Sequence, residues 1–512
     1  MPFLRSHRSS GYGSYGSYGS YGSYGGYGYG YGREKRRGRG KSFFVLGVFL
    51  SLLVSFYCLV MLDYVDFSYR NMAILVGITF SYALILTDLR IGLVLMYFSF
   101  GFSPEFSVAG VPNIRIEDFL IPIVLLAWLT KVANRRTKFQ PLNIKAPIII
   151  LVFLMLFSSM VNISFFNLDM KRSLLYLMKE IEYFIVLYLV LNNLSTRREL
   201  RAFIVLTIII SFGSGMYYYL LHKGVGSGRL SGPMGETANV IGAYYVIHML
   251  LALGLLFSLQ QWKYRILLIG YLLLMTLPFM NTYSRTSFVA LFGAMIIVGV
   301  LRSRRMLIAA IVLFVFVTTT FNEAIIVRFG TIARIFSDRP PSAWTARVSG
   351  WGEYWGFVKE APFFGHGVGR MGLLVDNEYI KVASEVGFLG LAAFLWLLFM
   401  IALTAYRTSG ITKSRFFSGF AVGYFAAFIG LTIHCIGTTS FTTIRSMMPF
   451  YFLTGILYVI YNKHTLPERK IEVELGEIRY ASLTDEERKN LLDKEEEIRE
   501  ELEPTIPTPI NE

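Results

Sequence analysis

Long apolar runs, separated by short polar connections, follow one another along most of this chain. A helix needs about 20 apolar residues to cross the hydrocarbon core of a bilayer. Charged residues make up 16% of the 512 positions, whereas soluble domains carry about 25%. The sequence therefore predicts an all-α polytopic membrane protein with about 12–14 transmembrane helices.

We place fourteen spans by length and apolar content. The third is short, and a re-entrant segment is an alternative interpretation of it. The predicted spans are 43–62, 70–87, 90–103, 116–131, 146–164, 173–193, 200–221, 238–259, 265–281, 285–301, 306–321, 385–406, 416–437 and 446–461.

Basic residues are distributed unequally between alternate connections. A run of six lysines and arginines at 33–41 precedes the first span, and the connections near 131–138, 197–201, 263–265, 302–305 and 407–415 are also basic. The intervening connections near 63–69 and 104–115 contain few. By the positive-inside rule, both termini lie in the cytoplasm. The net charge of +15 thus fits orientation in a membrane better than nucleic-acid binding.

The chain divides into three predicted regions. Residues 1–42 are a Gly/Tyr/Ser-rich tail with a basic end, which has too little aliphatic surface to fold and is not a signal peptide. Residues 43–465 form the transmembrane domain, and 466–512 form a charged cytoplasmic tail. Either tail is a candidate binding segment for other envelope-assembly proteins. Cys58 and Cys435 both lie in apolar runs, which indicates neither a disulfide framework nor a metal site.

The longest polar connection, residues 322–384, is predicted to be ordered and to lie outside the cytoplasm. It begins a helix that Ser342 can cap. Aromatic and aliphatic residues recur on one face of that helix, which favours a position in the membrane interface. Pro362 ends the helix, and alternating glycines in FGHGVGR can form either a simple turn or an anion-holding nest. The residues of the apolar face are Trp344, Val348, Trp351, Trp355 and Val358.

Three arginines lie on the same predicted outer side as this connection: Arg229, Arg285 and Arg445. Each by itself is typical of a snorkelling anchor at the end of a span. Together they suggest a common anionic ligand, because the planar guanidinium group bonds two phosphate oxygens at once. We therefore predict that they bind a diphosphate.

Several ionisable residues fall inside predicted spans. Lys179, Glu180 and Glu182 suggest first a Lys–Glu pair that fixes helix packing and second the lining of a cavity. His248 and His434 are interpreted as hydrogen-bonded packing residues.

Four stretches, in this order, resemble the O-antigen ligase and O-antigen polymerase family of bacterial membrane proteins. They are RLSGPMGETANVIGAYYV, YSRTSFVALFGA, ARVSGWGEYWGFVKEAPFFGHGVGR and DNEYIKVASEVGFLGL. The similarity covers roughly residues 115–400, and IRIEDFLIPIVLL near the fourth span also looks like the family.

The resemblance implies a multi-span helical glycosyltransferase fold (GT-C-like) with a cavity facing outward. The implied activity is transfer of a glycan from a polyprenyl diphosphate-linked donor to an acceptor glycan outside the cytoplasmic membrane, in polysaccharide biosynthesis. A polymerase extends another lipid-linked repeat unit, whereas a ligase hands the glycan to a lipid or protein acceptor. The family's essential arginines correspond to Arg229 and Arg285, and Arg347 matches a frequent family arginine.

The sequence departs from the ligase pattern at one position. Ligases of this family carry a histidine immediately before the asparagine that is Asn377 here, whereas this chain has Asp376. Asp376 can still serve as the catalytic base, and His366 is the alternative base. Arg347 and Asn377 are predicted to be supporting residues of the site, with no specific role assigned to either. The substitution favours a polymerase or a more distant branch. Asp376 and Asn377 can alternatively cap the next helix.

We predict no cofactor and no metal, because Asp376 and Glu378 are the nearest approach to a ligand pair. The rival class is a transporter or flippase of lipid-linked glycans. A transporter needs ionisable residues at mid-membrane depth and often has repeated halves. A third class, a membrane scaffold, does not require the arginines.

Overall fold

The computed structural model describes residues 82–103, 105–106, 114–133, 139–165, 168–225, 228–232, 236–320, 340–371 and 376–477, and positions 327, 330–331, 334 and 337. All of these residues lie in one compact unit, Phe80–Glu512. The Gly/Tyr/Ser-rich tail, the span predicted at 43–62, most of the span at 70–87 and the tail after residue 477 fall outside the described residues.

The remaining twelve predicted spans are all helices. Two differ from the predicted bounds by more than a few residues: α11 begins seven residues earlier, and α13 continues past the apolar run. The helices are α1 (Leu89–Phe102), α2 (Ile116–Ala133), α3 (Lys145–Phe165), α4 (Met170–Asn193), α5 (Arg197–Val225), α6 (Ala238–Ser258), α7 (Trp262–Asn281), α8 (Arg285–Leu301), α9 (Arg304–Thr320), α10 (Ser342–Glu360), α11 (Glu378–Ile411), α12 (Arg415–His434) and α13 (Ile444–Glu477).

Seven of the described helices are long and apolar enough to cross a membrane: α3, α5, α6, α7, α11, α12 and the part of α13 up to His464. The shorter α1 and α8 are also apolar. With 14 residues, α1 is about 21 Å long, which is less than the bilayer core. A two-stranded antiparallel sheet of β1 (Glu105–Phe106) and β2 (Ile114–Arg115) connects α1 to α2. The prediction of an all-α polytopic membrane protein is confirmed.

Contacts between helix ends show which of the ends lie together. Arg90 at the start of α1 pairs with Glu199 at the start of α5 (2.7 Å). At the other end of α1, the carbonyls of Phe100 and Ser103 accept bonds from Arg445 in the first turn of α13. We call this second end, where α6, α8, α11 and α13 begin, the outer end, after the side that the charge pattern predicts for it. The elements that the charge pattern assigns to the same side thus contact one another.

Small residues bring α6 and α12 together in the interior. A Cβ atom added to Gly254 of α6 would lie 2.4 Å from the Cα atom of Gly423 in α12. Small residues at such positions allow membrane helices to pack backbone against backbone. Because α12 also packs on α8, the last residue of α12 lies beside the first turn of α8 at the outer end.

Helix α11 is broken near its start. Gly387 has φ = 75° and ψ = −176°, a conformation that glycine adopts readily and that other residues avoid. The backbone N–H of Phe388 donates to the carbonyl of Pro362 (2.7 Å), so the segment that follows α10 inserts at the break. A Cβ atom on Gly387 would lie 2.2 Å from the carbonyl oxygen of Phe363, which explains why the helix requires glycine here.

Candidate functional site

The turn between α7 and α8 together with the first two residues of α8, residues 282–286, is the centre of the candidate site. Ser284 caps α8 by accepting a hydrogen bond from the backbone N–H of Ser287. Tyr283 has φ = 48°, and among the described residues no other non-glycine residue has a positive φ. Such backbone conformations are uncommon and occur often at functional sites. This backbone conformation makes the turn a candidate for a functional segment.

Arg229 is attached to one side of this turn. Its Nε atom donates to the carbonyl of Thr282 (3.1 Å), and its Nη2 atom donates to Oδ1 of Asn239 (3.1 Å). The same amide oxygen accepts a bond from the hydroxyl of Ser284 (2.8 Å). Asn239 was not identified from the sequence, although it lies in the second position of α6.

Arg285 and Arg347 approach the turn from its other side. Arg285 is the first residue of α8, and its Nη1 atom lies 3.4 Å from the hydroxyl of Thr331. Arg347, in α10, donates from Nη1 to the hydroxyl of Thr286 (3.4 Å). The structure thus brings three arginines that are distant in sequence to one turn at the outer end.

Asp376 completes this group. Its Oδ2 atom lies 3.1 Å from Nε of Arg347, and its side chain is 48% exposed. The indole N–H of Trp351 donates to its backbone carbonyl (3.3 Å). We call Arg229, Arg285, Arg347 and Asp376 the turn cluster. Three of its four side chains are guanidinium groups, which suit an anionic ligand.

Asn377 caps α11, which is one of the two interpretations of this position that the sequence allowed. Its Oδ1 atom accepts from the backbone N–H of Ile380 (3.1 Å), and its Nδ2 atom donates to the carbonyl of Ile436 (3.1 Å). These bonds attach the start of α11, directly after Asp376, to the end of α12.

His366 lies away from the turn cluster. Its Nε2 atom bonds the carbonyl of Phe357 (3.0 Å), whereas Arg347 lies ten residues earlier in the same helix, α10. Ten helical residues span about 15 Å. The structure therefore places Asp376, rather than His366, beside the arginines.

The glycine turn around His366 forms a nest, but a protein carboxylate occupies it. Gly365, Gly367 and Gly369 all have positive φ, between 66° and 87°. The N–H groups of Gly369 and Met371 donate to Oε1 of Glu385 (3.0 and 3.2 Å). These bonds attach the glycine turn to α11 beside its break. The two N–H groups are therefore already hydrogen-bonded within the protein.

Arg445 has protein partners for each guanidinium nitrogen. Nε pairs with Oε1 of Glu236 (2.6 Å), while Nη1 and Nη2 donate to the carbonyls of Phe100 and Ser103 (3.0 and 2.8 Å). The side chain is 1% exposed. Glu236 also pairs with Arg115 (3.2 Å); burial and then the charge of Arg445 lower the pKa of Arg115.

An Arg445→Met protein is expected to lose about 3–5 kcal/mol of unfolding free energy, because the variant leaves the buried Glu236 with an incomplete set of partners. Thermal unfolding in nanodiscs measures this loss. Arg302→Met is the matched control, since Arg302 is exposed and stacks on Tyr406. Its free energy of unfolding is expected to stay within about 0.5 kcal/mol of that of the unmodified protein. If Arg445→Met is as stable as the unmodified protein but no longer binds diphosphate, Arg445 is a ligand-binding residue, as the sequence predicts.

A buried charged cluster lies inside the outer half of the molecule. Glu180, Glu378, Lys381 and Glu385 line a cavity of about 30 Å³, which has room for one or two water molecules. Lys381 lies 3.5 Å from Glu385 and donates to the hydroxyl of Thr442 (2.7 Å). The spacing of Glu378, Lys381 and Glu385 places them on one helical face, a signal that sequence reasoning missed.

Both interpretations of the charged residues in α4 apply. Lys179 pairs with Glu182 (3.2 Å) and with Asp118, so it joins α4 to α2. Glu180 lines the cavity instead. His248 and His434 are fully buried and hydrogen-bonded, as predicted.

The aromatic helix α10 ends at Glu360, two residues before Pro362, as predicted. The capping prediction was wrong: Pro341 is the N-cap residue, and Ser342 already has helical geometry. Trp344 and Trp351 pack edge to face (5.5 Å), while Trp355 contacts Phe388 at the break in α11. Val358 is buried, whereas Val348 and Trp355 remain exposed.

Among the described residues, no group of three or more His, Cys, Asp or Glu side chains has the arrangement of a metal site. The carboxylate of Glu378 accepts bonds from Phe441 and Thr442, so it is engaged with the loop that precedes α13.

Comparison with known protein families finds a match to part of the chain. The family model described as O-antigen ligase matches residues 270–395. This stretch includes the turn at 282–286, helices α8 to α10, the glycine turn and Asp376. A search of curated proteins finds no match to the chain.

Proposed function

We propose that the donor of this protein is a polyprenyl diphosphate-linked glycan. The match of residues 270–395 to the O-antigen ligase family model supports a glycan-transferring role in polysaccharide assembly. The observation that supports this proposal most directly is the turn cluster, in which Arg285 begins α8, Arg347 contacts Thr286 in its first turn and Arg229 contacts Thr282 just before it. A helix N-terminus and several guanidinium groups together form a favourable environment for a diphosphate.

In this proposal, Arg229 and Arg285 bind the diphosphate. Arg229 is oriented by Thr282 and Asn239, and Arg285 projects from the N-terminus of α8. Their charges stabilise the diphosphate as it leaves the sugar. Arg347 supports Asp376, since the two side chains are paired. Arg445 stabilises the outer end of the helices, because all three of its guanidinium nitrogens bond protein oxygens.

The proposed transfer reaction requires one base. Asp376 accepts the proton from an acceptor hydroxyl, whose oxygen attacks the anomeric carbon of the donor. The bond between that carbon and the diphosphate oxygen breaks, and the polyprenyl diphosphate leaves with the bonding electrons. The exposed half of Asp376 leaves its carboxylate accessible to an acceptor.

We place this reaction outside the cytoplasmic membrane, with both termini of this multi-pass protein in the cytoplasm. The basic connections support this orientation. Helix α10, with its exposed Trp355 and Val348, then rests in the headgroup layer and covers the site. The partners are the lipid-linked donor, the acceptor glycan and the bilayer itself.

Reconstitution of the full-length protein in vesicles tests the proposal. With a polyprenyl diphosphate glycan and an acceptor glycan, we expect new glycosidic bonds and release of polyprenyl diphosphate. Products that grow by repeat units identify a polymerase, and single additions identify a ligase. Vesicles with Arg285→Ala protein are the control. Movement of the intact lipid-linked glycan between leaflets, without bond formation, would overturn the proposal in favour of a transporter.

A further inference from the structure

Helix α12 ends at a buried histidine that links two parts of the candidate site. The Nε2 atom of His434 lies 2.9 Å from the hydroxyl of Ser287, and its Nδ1 atom lies 2.6 Å from the hydroxyl of Ser440. The side chain is fully buried. Both ring nitrogens are therefore used, one toward α8 and the other toward the loop that precedes α13.

On the α8 side, the bonds continue to Arg229, one of the two proposed diphosphate-binding arginines. The hydroxyl of Ser287 donates to that of Ser284 (2.8 Å), which in turn donates to Oδ1 of Asn239 (2.8 Å). Asn239 accepts from Arg229 as well. Since Ser287 donates onward, His434 must donate to it from Nε2, which leaves Nδ1 of a neutral ring to accept from Ser440. All the donors in this chain of bonds point toward Asn239.

On the other side, the loop with Ser440 holds the start of α11. The N–H of Phe441 and the hydroxyl of Thr442 donate to the carboxylate of Glu378 (2.8 and 2.9 Å). Glu378 is the first residue of α11 and lies two positions after Asp376. The amide of Asn377 also bonds the end of α12. Arg229 and the start of α11, which directly follows Asp376, are therefore connected through one imidazole ring.

We propose that His434 is a positioning residue that sets Arg229 in register with Asp376. This inference rests on the proposed function, and it adds a role that the packing of α12 alone does not require. A hydrogen bond between neutral groups is sensitive to the loss of one buried partner, because the remaining group is left unsatisfied. Loss of His434 is thus expected to loosen the N-cap of α8 and the orientation of Arg229.

The test compares donor and acceptor kinetics of His434→Leu in reconstituted full-length protein. We expect the donor KM to rise about tenfold, in line with the loss of one or two buried hydrogen bonds, while the acceptor KM stays the same. Binding of polyprenyl diphosphate without glycan should weaken by the same factor. His434→Gln, which can still donate to Ser287, should recover most of the donor KM.

His248→Leu is the matched control. His248 is equally buried and bonds Tyr97 and the carbonyl of Tyr244, but it has no bond to the turn cluster. Its loss should lower the folded fraction without changing the donor KM. If His434→Leu does not fold, Ser287→Ala tests the same connection with little change in volume, and Ser211→Ala, another buried serine, is its control.

The outcomes separate this inference from the proposed function. Normal diphosphate binding by His434→Leu and Ser287→Ala, with binding lost in Arg229→Ala, would overturn the positioning role alone. Normal binding by Arg229→Ala and Arg285→Ala would overturn the proposed function. Equal changes in the donor and acceptor KM values would show that His434 acts only through general packing.

Discussion

Arg285→Ala is expected to reduce glycan transfer by about 10²–10³-fold, the usual effect of removing one group that stabilises developing charge. Arg285 projects from the N-terminus of α8, so its guanidinium adds to the positive end of the helix dipole. Each hydrogen bond to a charged group contributes about 1.5–3 kcal/mol. Initial rates at low donor concentration, normalised to folded protein, measure the loss, and Arg229→Ala should have an effect of the same kind.

The same helix provides the control for this prediction. Arg302 is the C-cap residue of α8 and stacks on Tyr406, so Arg302→Ala removes an identical charge from the opposite end of the helix. Its transfer rate should stay near that of the unmodified protein. Arg285→Lys should recover only part of the activity, because an ammonium group cannot bond two phosphate oxygens in a planar fork. Full activity of Arg285→Ala would exclude the diphosphate role.

Asp376→Asn is expected to lower kcat by about 10²–10⁴-fold, the range that general acid–base catalysis contributes. Asparagine preserves the shape of the side chain and can still accept a bond from Arg347, but it cannot take the proton of the acceptor hydroxyl. The donor KM should change little, since Arg229 and Arg285 remain in place. Steady-state kinetics with saturating donor and acceptor separate these two quantities.

Two variants complete the Asp376 experiment. Glu353→Gln neutralises an exposed carboxylate on α10 and should leave kcat unchanged. His366→Gln should have a small effect, because the ring bonds the carbonyl of Phe357 away from the arginines. A larger loss in His366→Gln than in Asp376→Asn would identify the histidine as the base.

Properties that depend on neighbouring residues were predictable. The apolar length of a span and the 3.6-residue period of a helix are local, so twelve spans and the end of α10 at Glu360 followed from the sequence. The alternation of basic connections also predicted which helix ends meet. The capping of α10 was misassigned at Ser342 because proline at the N-cap shifted the start of the helix by one position.

Contacts between side chains that are distant in sequence were not predictable in this way. Arg285 and Arg445 both open a helix on the same side, and their local sequences do not distinguish their environments. Packing placed Arg445 against Glu236, 209 residues earlier, and left Arg285 at the turn. Similarly, the spacing of Glu378, Lys381 and Glu385 defines one helical face, but only the arrangement of the neighbouring helices buries that face.

The amino-acid sequence by itself determined the membrane-spanning class and the order of the helices, and it predicted their direction and a set of arginines for diphosphate binding. It did so because hydropathy, helical period and loop charge act over a few neighbouring residues. Only the tertiary structure decided that Asp376 pairs with Arg347, that Glu385 fills the glycine nest and that His434 joins α8 to the loop before α13. Those choices depend on side chains that meet after the helices pack, where burial forces each polar group to find a partner.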